Sequence, residues 1–455
     1  MGALTLQPET LPGQGFSVRH TPTQARWSLA FVAILGYALV EYTRLPAMYP
    51  ILQPLQLGKV VTVLSLLGLL FAPRVRARNP AGVRHIDAVL VLFVLACLLS
   101  VFAADSVAAF WKGIQDVLLY ALIYFLIGRI VSNPWRMRVF LFFWLLLNFK
   151  LAQFVIRSYG HYRSMGISED LLARGTGAGS TGFFANGADF GVAMCIAWPV
   201  GTLLLFAHLK RWQRVALWIH SVTCLLAILL CSSRGAIVGA VAIVLVGVLR
   251  RPKKLAPILM LLMLLVGVGL VMPGGNKDRL RLALNWEQDP NAMSRITLWK
   301  AGLRMFADHP LTGVGLGNFP YTYARTYAGS EIRTREWACH SLYIQALSEL
   351  GLLGVIPLVL LVLSLFRLNR QTRKHLLAIS AEAHRSYEYC LAAGLDLALV
   401  GYLVSGAFVS VLFYPHLWIL LGLSVGLSKT CANKLLEQEA DLALSRGRSY
   451  AWQAP

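Results

Sequence analysis

His340 stands in Trp337-Ala-Cys339-His340-Ser341, where a polar stretch of roughly residues 273–339 meets an apolar run. An imidazole titrates near neutral pH, so a histidine at a membrane surface is a candidate acceptor for a hydroxyl proton. The same side chain could also simply cap a helix and reach back to the interface. A second group of residues is cationic. Arg157, Arg163, Arg174, Arg234, Arg295 and Lys300 fall on the side of the membrane that normally holds few positive charges. Arg234, in Cys231-Ser-Ser-Arg234-Gly235, is the sharpest case, because it opens a short apolar run. An arginine within a span costs roughly 2.5–3.5 kcal/mol on insertion scales and so needs a partner. That partner is a carboxylate from another helix or a phosphate on a lipid-linked ligand, whose oxygens suit the guanidinium fork.

Other chemistries lack their signatures. Gly175-Thr-Gly-Ala-Gly-Ser-Thr-Gly182 has no Gly-Lys-Ser/Thr ending and is not a phosphate-binding loop for ATP. No HExxH and no clustered Cys and His suggest a metal site, so no metal and no cofactor are expected. Of the remaining outward histidines, His161, His309 and His416, none follows the large polar segment at a helix start. Glu349 is out of phase with His340 and about 13 Å further along a helix, so it is not expected to orient the imidazole. Glu331 and Glu336 are the candidates for that task.

The elements that must position these residues are membrane helices. Hydrophobic residues make up 57%, charged residues 14%, and mean hydropathy is +0.62; a soluble domain carries about 25% charged residues. Twelve apolar runs are long enough to span: roughly 27–46, 52–72, 86–104, 110–130, 136–157, 187–207, 213–231, 235–249, 255–273, 341–366, 388–411 and 413–428. Arginines and lysines recur in every second connection. This phase puts both termini in the cytoplasm and the polar 273–340 segment outside. Residues 213–249 as one helix would measure about 55 Å, so Ser232-Ser-Arg-Gly235 is read as a hairpin turn. Within the outer segment, Ser294–Asp308 reads as an amphipathic helix with Ile296, Trp299, Leu303 and Phe306 on one face. The chain divides into helices over 1–273, an outer loop over 274–340, helices over 341–428 and a cytoplasmic tail over 429–455. The polar first 25 residues read as a cytoplasmic tail without a cleavable signal. Seven cysteines show no CxxC spacing; a Cys231–Cys339 disulfide is conceivable. The net charge of +21 follows largely from the charge bias of membrane loops, and the basic 367–387 insert suits anionic lipid. No nucleic-acid partner is expected.

Several stretches together are similar to the bacterial family of O-antigen ligases, related polymerases and protein O-oligosaccharyltransferases. His340-Ser341 followed by Gly351-Leu-Leu-Gly354 resembles its signature. Cys231-Ser-Ser-Arg234-Gly235 resembles its arginine motif. Ser294-Arg295-Ile-Thr-Leu-Trp299 and Pro310-Leu-Thr-Gly313-Val-Gly315-Leu-Gly317-Asn318-Phe319 resemble its outer-loop motifs. Arg174 with Gly182-Phe-Phe-Ala-Asn186 resembles an upstream element, although it reads Ala-Asn-Gly where the family more often has Asn-Pro-Asn. The resemblance implies an all-α, GT-C-like polytopic membrane enzyme of the bacterial inner membrane with a periplasmic active site. It implies metal-independent, inverting transfer of O-antigen glycan from undecaprenyl pyrophosphate to lipid A–core oligosaccharide. His340 would be the general base. Arg234 and Arg295 would hold the pyrophosphate, with Arg157, Arg163, Arg174, Asn186 and Lys300 as further substrate-binding candidates. Protein-modifying members tend to carry an extra C-terminal outer domain; this chain ends in a short tail, which favours a lipid acceptor. A transporter or flippase for anionic lipid-linked substrates would also account for Lys59, Lys112, Asp116 and Lys150 within spans, but it should show internal repeats, and none is visible.

Overall fold

The computed structural model of the chain describes residues 26–43, 45–72, 79–165, 187–231, 233–250, 287, 290–328 and 337–451. Over these residues it is an all-helical, multi-pass membrane protein. The helices are α1 (Leu29–Thr43), α2 (Leu57–Leu70), α3 (Ala81–Leu99), α4 (Val107–Ile130), α5 (Pro134–Ser164), α6 (Gly187–Leu204), α7 (Arg211–Leu230), α8 (Arg234–Leu249), α9 (Pro290–Asp308), α10 (Leu342–Ile379), α11 (Tyr387–Gly406) and α12 (Pro415–Ala451). Among the described residues, eight helical stretches are long and apolar enough to cross a membrane, and Leu29–Thr43 and Arg234–Leu249 are shorter apolar helices. The ninth apolar run, 255–273, lies outside the described residues.

Residues 213–249 do form two helices, with α7 ending at Leu230 and α8 starting at Arg234. Ser233 caps α8, its hydroxyl accepting from the Ala236 amide at 3.2 Å. At 16 residues, α8 is about 24 Å long, shorter than a ~30 Å hydrocarbon core.

The bundle centre is α11, packed against α6, α8 and α10. Small residues allow the close approach that lipid-embedded helices rely on. A Cβ on Gly401 would lie 2.5 Å from the Cys195 carbonyl oxygen, so α6 and α11 touch backbone to backbone. At the arginine-rich end, two buried carboxylates tie helices together. Asp396 is bound by Arg373 at 2.7 Å and Arg250 at 3.2 Å, and Asn369 donates to it at 3.0 Å. Glu388 is held by Lys434 at 2.6 Å, with Arg138 at 3.9 Å. Arg373, in the basic insert, is thus bound inside the protein; α10 runs into the insert as far as Ile379. All seven cysteines are free thiols, so Cys231 and Cys339 are not joined; each donates instead to a local carbonyl, of Ile228 and Ser341 respectively.

Candidate functional site

α10 begins where the long polar segment ends. Ser341 has extended backbone and caps the helix, accepting from the Ile344 amide at 3.4 Å. Immediately before it, His340 has φ +53°. Left-handed backbone is uncommon for a residue with a Cβ, and such strain concentrates at functional positions. Its neighbours fix it there. Trp299 of α9 donates from Nε1 to the Cys339 carbonyl at 3.0 Å, and the Cys339 thiol meets the Ser410 hydroxyl at 3.3 Å. The imidazole is half-buried. Burial, and next the positive charge of Arg295, hold its pKa below the ordinary 6.5, which keeps it neutral and able to accept a proton at pH 7.

α9 brings Arg295 to this histidine, but its buried face differs from the expected one. Leu298, Ala301 and Met305 are buried, while Leu303 is exposed and Ile296, Trp299 and Phe306 are half-buried. Small residues decide the rotation: α9 packs on α10, and a Cβ on Gly302 would lie 2.4 Å from Ile344 Cγ2. The helix also starts earlier than Ser294, at Pro290, where proline suits a first turn.

Below His340, α10 is broken. Gly351 has φ +57° and ψ −161°, a conformation that is not helical. The freed groups are satisfied by the Pro310–Phe319 loop. Leu352 and Leu353 amides donate to the Pro310 and Leu311 carbonyls at 2.9 and 3.0 Å, and Val314 donates to the Ser348 carbonyl at 2.8 Å. The loop follows this path because Gly313, Gly315 and Gly317 all have positive φ. Its far side is bound to the α3–α4 connection: Leu316 donates to the Ser100 hydroxyl at 3.0 Å, and the Ser106 amide donates to buried Asn318 at 2.7 Å. Glu349 is buried, and its carboxylate accepts from the backbone amides of Gly317 and Phe319. Two stretches quoted separately from the sequence are therefore one interlocked unit.

Arg234 is half-buried at the first turn of α8. A Cβ on the following Gly235 would lie 3.1 Å from Phe408, and the Phe408 ring centroid is 6.5 Å from that of Trp299. Contacts thus run from the Arg234 turn through Phe408 and Trp299 to the His340 junction. Lys300 is exposed on α9, next to Trp299. Arg157 is exposed on the last two turns of α5, and no described contact joins it to His340. Arg174 and Asn186, the Arg163 side chain, and Glu331 and Glu336 lie outside the described residues. Sequence reasoning gave no role to Asn318, Ser100 or Ser106, and saw Glu349 only as a non-partner of His340. The signal for the loop was present in its three alternating glycines. Among the described residues, no group of three or more His, Cys, Asp or Glu side chains is gathered to hold a metal.

Residues 219–379 match the family model described as O-antigen ligase. This stretch, about a third of the chain, is similar to the O-antigen ligase family. The matched stretch contains Arg234, Arg295, Lys300, His340, Glu349 and the Gly351 break; Arg157, Arg163, Arg174 and Asn186 precede it. That similarity supports a glycosyltransferase-like function of the ligase or polymerase type. No curated protein matches the chain.

Proposed function

We propose that the protein is an O-antigen ligase of the bacterial inner membrane, acting at the periplasmic face. The donor is a glycan on undecaprenyl pyrophosphate and the acceptor is lipid A–core oligosaccharide. His340 takes the proton of the acceptor hydroxyl. The acceptor oxygen forms a bond to the anomeric carbon from the face opposite the pyrophosphate, and the carbon–oxygen bond to phosphate breaks. Its electron pair stays on the pyrophosphate, next to Arg234 and Arg295, and the anomeric configuration inverts. The N-terminus of α8 adds partial positive charge beside Arg234. Arg157, Arg163, Arg174, Asn186 and Lys300 are candidates to bind the remainder of the donor or acceptor. The observation that carries this reading is His340 in left-handed backbone beside Arg295, at the family's matched stretch.

The test is reconstitution with lipid-linked glycan and rough lipopolysaccharide, without nucleotide or ion gradient. A ligated glycolipid of inverted configuration is expected, at the same rate in excess chelator after the lipopolysaccharide has been stripped of divalent ions. Elongated lipid-linked glycan with no transfer to lipopolysaccharide would identify a polymerase instead. Substrate movement without bond formation would identify a transporter.

A further inference from the structure

At the arginine-rich end, opposite His340, a cavity of about 560 Å³ opens between α5, the end of α6, and α7. Its wall is apolar, and lining residues Phe142, Leu146 and Ile219 are exposed on the outside of the bundle. Along α5 it reaches from Trp135 to Phe149, about 20 Å at 1.5 Å per residue. One leaflet of a ~30 Å hydrocarbon core is about 15 Å deep, so the cavity matches the reach of acyl chains from a single leaflet. Trp135 and Trp212 line its outer end, and indoles favour the headgroup level.

The mouth is cationic. Arg138 and His208 line it, and exposed Lys210, Arg211 and Arg214 adjoin it at the start of α7. Arg138 lies over the Tyr387 ring at 5.1 Å, with a side chain 57% exposed. Buried Glu388 lies 3.9 Å from Arg138, but Lys434 is its nearer cation, at 2.6 Å. A guanidinium fixed over an aromatic ring and followed by three more cations is complementary to a phosphate.

We infer that this groove is a binding site for one anionic phospholipid of the leaflet at the arginine-rich face, with acyl chains between α5 and α7 and phosphate at Arg138. Two variants separate the chain from the charge. Ala216→Trp fills the groove from α7. Gln213→Glu places a negative charge at the mouth and keeps the side-chain acceptor that the Lys210 amide uses at 3.0 Å; an acidic residue in a helix's first turn also suits its dipole.

Protein stripped of lipid in a neutral detergent is titrated with phosphatidylglycerol or phosphatidylcholine of identical chains. Melting temperature and retained lipid, by native mass spectrometry, are recorded. The expected result is one retained phosphatidylglycerol and a melting shift at least twice that given by phosphatidylcholine. Gln213→Glu should reduce this shift by half or more while melting like the parent without lipid, and Ala216→Trp should abolish retention. Equal shifts from both lipids, or an undiminished phosphatidylglycerol response in Gln213→Glu, would overturn the proposal. Displacement of phosphatidylglycerol by an equimolar polyprenyl phosphate would also overturn it, assigning the groove to a different lipid. If Ala216→Trp does not fold, the Gln213→Glu and lipid-selectivity results decide alone.

Discussion

Two influences act in the same direction on the imidazole of His340: burial, and the guanidinium of Arg295. Both favour the neutral ring, which is the form a general base needs. Activity should therefore rise with pH along an acid limb centred below 6.5, the ordinary imidazole value. Arg295→Gln should move that limb upward, toward the ordinary value, besides weakening donor binding. A limb unmoved in Arg295→Gln would separate the arginine from the histidine's titration. His340→Ala should lose about 10²–10⁴ in rate with its melting temperature little changed, since alanine keeps the Cβ that the left-handed backbone already carries. For Arg234 the informative pair is Arg234→Lys and Arg234→Ala. Lysine keeps the charge but loses the planar fork, so a pyrophosphate role leaves partial activity in the first and almost none in the second. Donor affinity measured alongside melting temperature distinguishes this from a structural ion pair, in which stability falls and affinity per folded molecule does not. His340, Arg234 and Arg295 stood out in the sequence as candidates because a titratable or cationic group at a membrane edge is conspicuous against apolar surroundings. Their mutual placement was not, since Trp299 and Phe408 connect them through packing that no local pattern encodes.

At the scale of elements, the break in α10 and the glycine loop that fills it depend on each other. A Cβ at Gly351 would lie 2.5 Å from the Leu311 carbonyl oxygen, and one at Gly313 would lie 2.5 Å from the Ser348 carbonyl oxygen. Both positions also have positive φ, which costs an L-residue about 1–2 kcal/mol. Overpacking adds roughly 1–3 kcal/mol. Gly351→Ala and Gly313→Ala should thus each destabilise by about 2–5 kcal/mol, read as a lower melting temperature and loss of folded protein from the membrane. Pro357→Ala, on the same helix but without a positive φ, is the control; equal melting for all three would refute the interlock. Apolar periodicity made the helices themselves legible. It misjudged the buried face of α9 because the bulk of Trp299 and Phe306 does not set the rotation: Ala301 and Gly302 do, by letting α10 approach. It also could not foresee that the freed amides of Leu352 and Leu353 would find the carbonyls of Pro310 and Leu311, far upstream in the chain.

The whole molecule divides its work between two ends. The His340 end gathers neutral imidazole, cations and strained backbone. The opposite end neutralises its buried charge: Asp396 is 1% exposed and holds Arg250, Arg373 and Asn369, joining α8, α10 and α11. Hydropathy and charge alternation made the polytopic frame legible, because lipid excludes unpaired polar groups. This ion-pair cluster was not legible, since its members lie far apart in sequence and arginine there was read only as a lipid contact. Removing Asp396 would leave two guanidiniums facing each other, with Arg373 only 17% exposed. Breaking a buried pair on one side costs about 3–5 kcal/mol, whereas exposed Arg250 contributes little of that. Asp396→Ala should therefore lower the melting temperature strongly, and Asp396→Ala with Arg373→Met should recover part of the loss, because the second change removes the uncompensated buried charge. Donor affinity per folded molecule should be the same in both, as Asp396 lies at the end away from His340. His340→Ala should give the converse, normal melting with activity lost. A double variant no more stable than Asp396→Ala, or a donor affinity that falls with the melting temperature, would show that the two ends are not independent.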